Sequence, residues 1–474
     1  MNTHKVLLDL SSVLSGNTPY SGIPQETRVL FKMFSENQRI QPIGLICPDG
    51  QGHITIPNKP TWDLPILESL ENAEYITGLQ QSPGPKNKLK KAYRLARVLL
   101  KLRHKNYFLY PFNNHHLDCI WRKAFHEFID ASDKDLLLSQ TFVKCYLDRY
   151  FLNMSTHFNF KVPTLHTDGM DFAIFQHGIP ICPTVSKETI PIVRFHDTIP
   201  LLMPDTTVDT HYTKLHVKSI LSSSKRAIFV CNSEPVRDEL LKCLPQFENK
   251  TYVVTPSVVS DKPAAKEYAA LPNIISARRS AQDRIPTIAE CSNYIISVST
   301  IEPRKNFISL IRAWERVRYQ KDDQLKLIIV GSNGWKNEAT DTAMQTHIAA
   351  GNIIHLQKVP LYELKILYAC ARAKVFPTFY EGFGITPIEA MLEGCPVIVS
   401  DTITTRWVLK DAPLYCNPYD VSSISDAIIR LLYSDESIKL REEKIEKGHQ
   451  LVEKYSTTAI SQEWLALFDR LKSS

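Results

Sequence analysis

The sequence predicts an α/β protein of two doubly wound, Rossmann-like halves facing each other across a cleft. Three observations predict it. Short apolar runs alternate with helical stretches near the N-terminus, the same alternation returns after residue 290, and residues 260–290, rich in Pro, Ala and charge, separate the two. At 474 residues two or three domains are expected. The division reads as an N-terminal half at 1–270, a linker at 271–290, a C-terminal half at 291–455 and a C-terminal helix at 456–474 that could cross back to the first half.

Each element has its own signal. "KVLLDLSSVL" opens as a buried strand: Val6, Leu7, Leu8 and Leu10 are apolar and polar residues follow. "SGIPQETRVLFKMF" reads as a loop entering a helix, with Val29, Leu30 and Met33 at helical spacing, and "IGLICP" as the next strand. Residues 51–160 show no regular pattern. "IPIVRFHDTIP" is a strand ending in His196 and Asp197. "SKRAIFVCNSEPVRDELLKCL" is strand, turn and helix, with Ser233 as N-cap and Pro235 just inside, where its missing N–H does no harm. After the linker, "YIISVST" is a strand, and "FISLIRAWERV" is a helix with Ile308, Leu310, Ile311, Trp314 and Val317 on its apolar face. "LKLIIVGSNGW" runs from strand into a glycine loop, followed by "NIIHLQKVP", "LYELKILYACA", "KVFPTF" and "PVIVSD" as strand, helix, strand and strand.

Composition narrows the function classes. The chain is 43% hydrophobic and 22% charged, an ordinary globular balance with ample length for a core. A formal net charge of +6 does not argue for nucleic acid and favours an anionic ligand or surface. Ten scattered cysteines without a Cys-x-x-Cys pair argue against a zinc ribbon or a thioredoxin-type site and suit a reducing compartment. "DKD" at 133–135 reads as a helix start or surface charge cluster rather than a metal motif. No signal-peptide core and no apolar run of about 18 residues is present, so a cytoplasmic product is expected. Residues 86–105, "KNKLKKAYRLARVLLKLRHK", place Lys90, Arg94, Arg97, Lys101 and Lys105 opposite an apolar face. That pattern suits peripheral contact with the inner face of the plasma membrane, or equally a surface helix packed on the first domain.

Facing α/β halves bind ligands at the carboxyl ends of their strands. In the second half, Arg304 and Lys305 stand just before a helix start, an arrangement suited to phosphates, although a solvated charged loop would read the same way. Gly331 and Gly334 in "GSNGW" permit close backbone approach, or only a turn. In "YEGFGITP", Gly382 and Gly384 free backbone N–H groups at the head of the next helix. A carboxylate there, Glu381, accepts hydroxyl hydrogen bonds, which points to a sugar or ribose. Glu389 also fits a capping box beginning at Thr386, with Pro387 at the first helical position.

The Glu-x7-Glu spacing within "FPTFYEGFGITPIEAMLEGCPVIVSD", preceded by "VSTIEPRKN", resembles the retaining glycosyltransferases of family 4 (glycosyl transferases group 1), which have the GT-B fold. The resemblance is specific over about residues 290–402, looser over 190–245, and visible at "SGIPQETR", where the family's acceptor-side glycine loop lies. It implies a nucleotide-diphospho-sugar donor in the C-terminal half. Glu381 would contact donor-sugar hydroxyls, the backbone of Phe383, Gly384 and Ile385 the sugar and diphosphate, Glu389 the ribose, and Arg304 and Lys305 the diphosphate. Gly331 would line the donor loop. His196 would face the reacting carbon, with Asp197 and Gly22 on the acceptor side. The chain departs from the family at Ser299, Thr300 and Pro24.

What the resemblance implies is retaining transfer to a hydroxyl of a glycan or lipid-linked acceptor, with no divalent metal and no cofactor, in envelope polysaccharide or lipopolysaccharide synthesis. "EPRKN" with "HDTIPL" leans toward a GDP-mannose-type donor. The alternatives are a degenerate sugar-nucleotide-binding subunit and a sugar-nucleotide epimerase of the same fold.

Overall fold

The computed structural model describes residues 3–14, 22–46, 106–145, 164–176, 184–207, 210–223, 226–258, 264–279 and 287–473. The basic stretch at 86–105 lies outside the described residues.

Eight of the described strands of the first half assemble into one sheet, and Asn106–Tyr107, Thr164–Leu165 and Thr184–Val185 form a small separate one. In spatial order the eight are Thr251–Val253, Ile228–Cys231, Ile190–Phe195, Phe172–Gln176, His4–Asp9, Ile40–Ile46, Thr141–Lys144 and Tyr110–Pro111. All neighbours are parallel except the last pair. These strands are apolar on both faces because helices cover both, as parallel sheets require. The chain leaves His4–Asp9 in one direction and later returns on its other side, so Phe172–Gln176 borders it at a topological switch point.

The second sheet has six parallel strands: Ile353–Leu356, Lys326–Val330, Tyr294–Val298, Ala373–Phe376, Val397–Ser400 and Leu414–Cys416. Its switch point falls between Tyr294–Val298 and Ala373–Phe376. In such sheets the crevice outside the strand ends at this point receives ligands. The loops leaving those two strands carry Arg304, Lys305 and Glu381.

The helix Thr457–Ser473 buries Ile460, Trp464, Leu467 and Phe468 in the core of the first sheet. Phe468 stacks on Phe172 at 4.4 Å, and Asp469 pairs with His4 at 2.8 Å and Arg39 at 2.9 Å. Within the linker stretch, Leu271–Arg278 is a helix. Leu271, Ile274 and Ile275 enter the core of the second half, and Arg278 binds Glu363 with two nitrogens. These three apolar residues within a polar composition were its only sequence signal.

Three local expectations are corrected. "SGIPQETR" is no loop: the helix Gly22–Glu36 begins at Gly22, and Pro24 stands in its first turn, where no donor is lost. Thr386 is not a cap. The helix Ile385–Leu392 begins one residue earlier behind Gly384, and the Thr386 hydroxyl donates to the Val298 carbonyl at 3.4 Å. Ile308 is half-exposed, and Phe307 takes its place on the buried face of Phe307–Gln320. Ser233 does cap the helix Glu234–Cys243, accepting from the Val236 N–H at 3.4 Å. In the acidic triplet, Asp133 binds Lys32 at 2.6 Å.

Candidate functional site

The site is built from two loops stitched together. Asn306, in the left-handed region at φ 58°, donates to the carbonyls of Pro377 at 2.9 Å and Pro418 at 2.7 Å. The Phe379 N–H and the Thr378 hydroxyl both donate to the Arg304 carbonyl, at 2.9 and 3.1 Å. Gly384, at φ 83°, turns the chain into the helix Ile385–Leu392, a conformation costly for any residue with a Cβ. The loop from Pro377 to Gly384 is therefore fixed at both ends.

Inside it lies a buried charge cluster. Oε1 of Glu381 meets Lys305 Nζ at 2.6 Å and Arg304 Nη1 at 2.9 Å. Arg304 also donates to Glu302 at 2.5 Å and to the Tyr380 carbonyl at 2.6 Å. Burial would push the Glu381 carboxyl upward, but the two cations hold it below its usual range. Burial, reinforced by Arg304, lowers Lys305. Burial raises Asp197 despite Arg304 nearby. Two cations thus face two carboxylates, Glu381 and Glu302, and the cations are oriented before any anion arrives.

Glu389 lies one turn along the helix Ile385–Leu392, on the wall of a small open pocket. Gln25 and Val29 of the first half and Leu361, Lys365 and Tyr368 of the second share that wall. Beneath it is Lys374, fully buried in the central strand Ala373–Phe376, with Nζ 3.2 Å from the Tyr368 hydroxyl. Burial depresses Lys374 to about 7 and raises Glu389, while each charge partly offsets the other's shift. Glu389 therefore closes no capping box with Thr386 and lies instead at a pocket that both halves line.

The first half meets the loop directly. A Cβ on Gly382 would stand 2.0 Å from the His196 carbonyl oxygen, so only glycine allows this approach. The Ser233 hydroxyl donates to the Gly382 carbonyl at 2.7 Å, and the Tyr380 hydroxyl donates to Glu239 at 2.5 Å. His196, at the end of Ile190–Phe195, is buried, with Nε2 2.8 Å from Gln176 and Nδ1 3.2 Å from Glu26. Glu26 also binds Arg194 at 2.7 Å, and Arg194 is fully buried and donates to the Val254 carbonyl at 2.6 Å. Burial would raise the Glu26 carboxyl, but Arg194 and His196 bring it down to about 2.

The structure thus gathers Glu381, Arg304, Lys305, Asp197 and the His196 backbone at one point. Phe383 turns its ring into the core against Tyr455, leaving only its backbone toward the loop. Gly331 makes its close approach to the Ser299 carbonyl, 2.0 Å from where a Cβ would be. Gly22 is exposed, with open space about it. Sequence reasoning missed Glu26, Arg194, Gln176, Glu239 and Lys374. The charges of Arg194 in "IPIVRF" and Lys374 in "AKVF" were the available signals, since a charge in an otherwise apolar central strand demands a partner. Among the described residues no cluster of three or more His, Cys, Asp or Glu could hold a metal ion, and no helix is long and apolar enough to cross a membrane.

Residues 278–451 match the family described as glycosyl transferases group 1. The chain is 37% identical over 142 residues to the O-antigen chain mannosyltransferase B of Escherichia coli, covering 30% of this chain and 37% of that one. It is 29% identical over 253 residues to the O-antigen chain mannosyltransferase RfbU of Salmonella typhimurium, covering 52% and 63%. The matches thus span less than two thirds of either relative. Among solved structures, sucrose-phosphate synthase of Thermosynechococcus elongatus superposes with TM-score 0.58 at 14% identity, covering 99% of both chains. The Anabaena protein HepE, in complex with UDP and glucose, superposes with TM-score 0.53 at 13% identity over the full length of both. The family match is confined to residues 278–451, and the chain as a whole has the GT-B fold of two facing α/β halves.

Proposed function

We propose that the protein transfers a sugar, with retention, from a nucleotide-diphospho-sugar to a hydroxyl of a glycan or lipid-linked acceptor. The observation that carries this reading is the Glu381–Arg304–Lys305 cluster at the switch point of the second sheet. As the bond from sugar to phosphate breaks, negative charge builds on the diphosphate. Arg304 and Lys305 are already aimed and cost no reorganisation at that moment. Both cations bind Oε1 of Glu381, so the second carboxylate oxygen is the one offered to a sugar hydroxyl. The head of Ile385–Leu392 adds backbone N–H groups for the same anion. The leaving phosphate takes the acceptor's proton, and the acceptor attacks from the face that phosphate leaves. Glu389, at the cavity wall, takes the ribose. The first half, 1–270, holds the acceptor against His196 and Asp197.

The relatives' names favour mannose as the sugar and an O-antigen or other envelope acceptor, and the lean of "EPRKN" with "HDTIPL" supports GDP as its carrier. The test is turnover of GDP-mannose with and without EDTA, with the anomer of the product read by NMR. An α-linked product formed equally well in EDTA agrees with the proposal. An inverted product, or activity that EDTA abolishes and manganese restores, contradicts it.

A further inference from the structure

The helix Glu234–Cys243 belongs to the first half, yet it contacts the donor loop of the second half twice. At its N-cap, Ser233 donates to the Gly382 carbonyl at 2.7 Å. Two turns on, Oε2 of Glu239 accepts from the Tyr380 hydroxyl at 2.5 Å, and the Thr198 hydroxyl donates to the same oxygen. The Tyr380 and Thr198 hydroxyls lie 2.8 Å apart, so three side chains from three segments meet at one point. Burial, followed by the charge of Glu239, raises the Tyr380 hydroxyl above its ordinary range, which keeps it a donor.

Tyr380 is also the residue whose backbone holds the cluster. Its carbonyl accepts from Arg304 Nη1 at 2.6 Å and from the Thr378 hydroxyl at 3.0 Å. Its chain neighbour Glu381 binds Lys305 and Arg304. The side chain of one residue therefore reaches across to the opposite half while its backbone orients the cation of its own half.

We propose that Glu239 is a positioning residue: through Tyr380 it makes the alignment of Glu381 and Arg304 depend on contact between the two halves. The inference rests on the reading that this loop works on the donor. When the halves part, Tyr380 loses its acceptor and the Arg304 carbonyl contact loses its support. When they meet, the loop is drawn into register at the moment the acceptor side arrives. Free nucleotide carries no sugar for Glu381 to align, so its affinity should depend little on the tie.

The test uses the full chain with Tyr380→Phe, Glu239→Gln and the double variant. Small-angle scattering without ligand reads the contact itself. Both single variants should have a larger radius of gyration than wild type, with unchanged thermal unfolding. Turnover with GDP-mannose should fall tenfold or more in each single variant, with the Kd for GDP within twofold of wild type. The double variant should be no slower than the worse single one. Wild-type scattering in both variants, or turnover losses that multiply in the double variant, would overturn the proposal. If Glu381→Gln keeps wild-type turnover, the donor reading fails instead, and the scattering result still decides whether Glu239 ties the halves.

Discussion

Lys305→Ala is the most informative single change at the donor loop. The substitution removes an ammonium 2.6 Å from Glu381, but Arg304 remains 2.9 Å from the same oxygen. The carboxylate is therefore not left alone. The stability cost should fall short of the roughly 3–5 kcal/mol that follows when a buried charge loses its only partner. The barrier should suffer more. A preorganised donor to a developing anion contributes about 2.7–4 kcal/mol, or roughly 100- to 1000-fold in turnover. Lys305 is one of two cations at the cluster, so Arg304 cannot substitute for it without leaving Glu302, to which it donates at 2.5 Å. The assay is steady-state turnover at saturating GDP-mannose, alongside thermal unfolding of the same preparation. A folded variant with near wild-type turnover would refute the reasoning, because the cation would then be merely the partner of Glu381.

Other perturbations test the surrounding frame. Glu26→Gln leaves Arg194 buried without its carboxylate and should cost about 3 kcal/mol in urea unfolding; a loss below 1 kcal/mol would mean the backbone carbonyls suffice for that guanidinium. Burial lowers His216 to about 4 from an ordinary 6.5, so the unfolded chain takes up its proton first. Stability should therefore fall by about 3 kcal/mol as pH drops from 6.5 to 4, and His216→Phe should flatten that slope in pH-dependent unfolding. Gly382→Ala would put a Cβ 2.0 Å from the His196 carbonyl oxygen, so the variant should fold but lose turnover and scatter as a more open particle; wild-type turnover would show that the two halves need not meet there.

The alternation of strand and helix was legible because apolar periodicity survives in any parallel sheet with covered faces. The loop at 377–384 was legible as a candidate site because few other arrangements call for Glu381, Gly382 and Gly384 between a strand and a helix. Local capping chemistry misled where two signals competed. Thr386-Pro387 looks like a helix start, but Gly384 in the left-handed region turns the chain first. Pro24 looks like a loop residue, yet a first helical turn tolerates it equally well. What could not be read was contact at long range. Tyr380 and Glu239 lie 141 positions apart, and Glu26 and Arg194 168 apart. No periodicity links such pairs, although the charge of Arg194 within an apolar strand shows that some partner must exist.

The central claim is that the carboxylates on either side of the glycine loop do different work, Glu381 on the sugar and Glu389 on the ribose. Calorimetric titration of Glu381→Gln and Glu389→Gln with GDP tests it most directly, since GDP carries the ribose and diphosphate but no sugar. Each variant keeps a side chain of the same shape, so the contrast isolates the carboxylate. A hydrogen bond to a charged acceptor contributes about 1.5–3 kcal/mol, so Glu389→Gln should weaken GDP binding by roughly tenfold or more. Glu381→Gln should bind GDP within about twofold of wild type, under 0.5 kcal/mol, yet lose turnover. If Glu389→Gln binds GDP as wild type does, the ribose is held elsewhere, and the division of labour between the two glutamates is wrong.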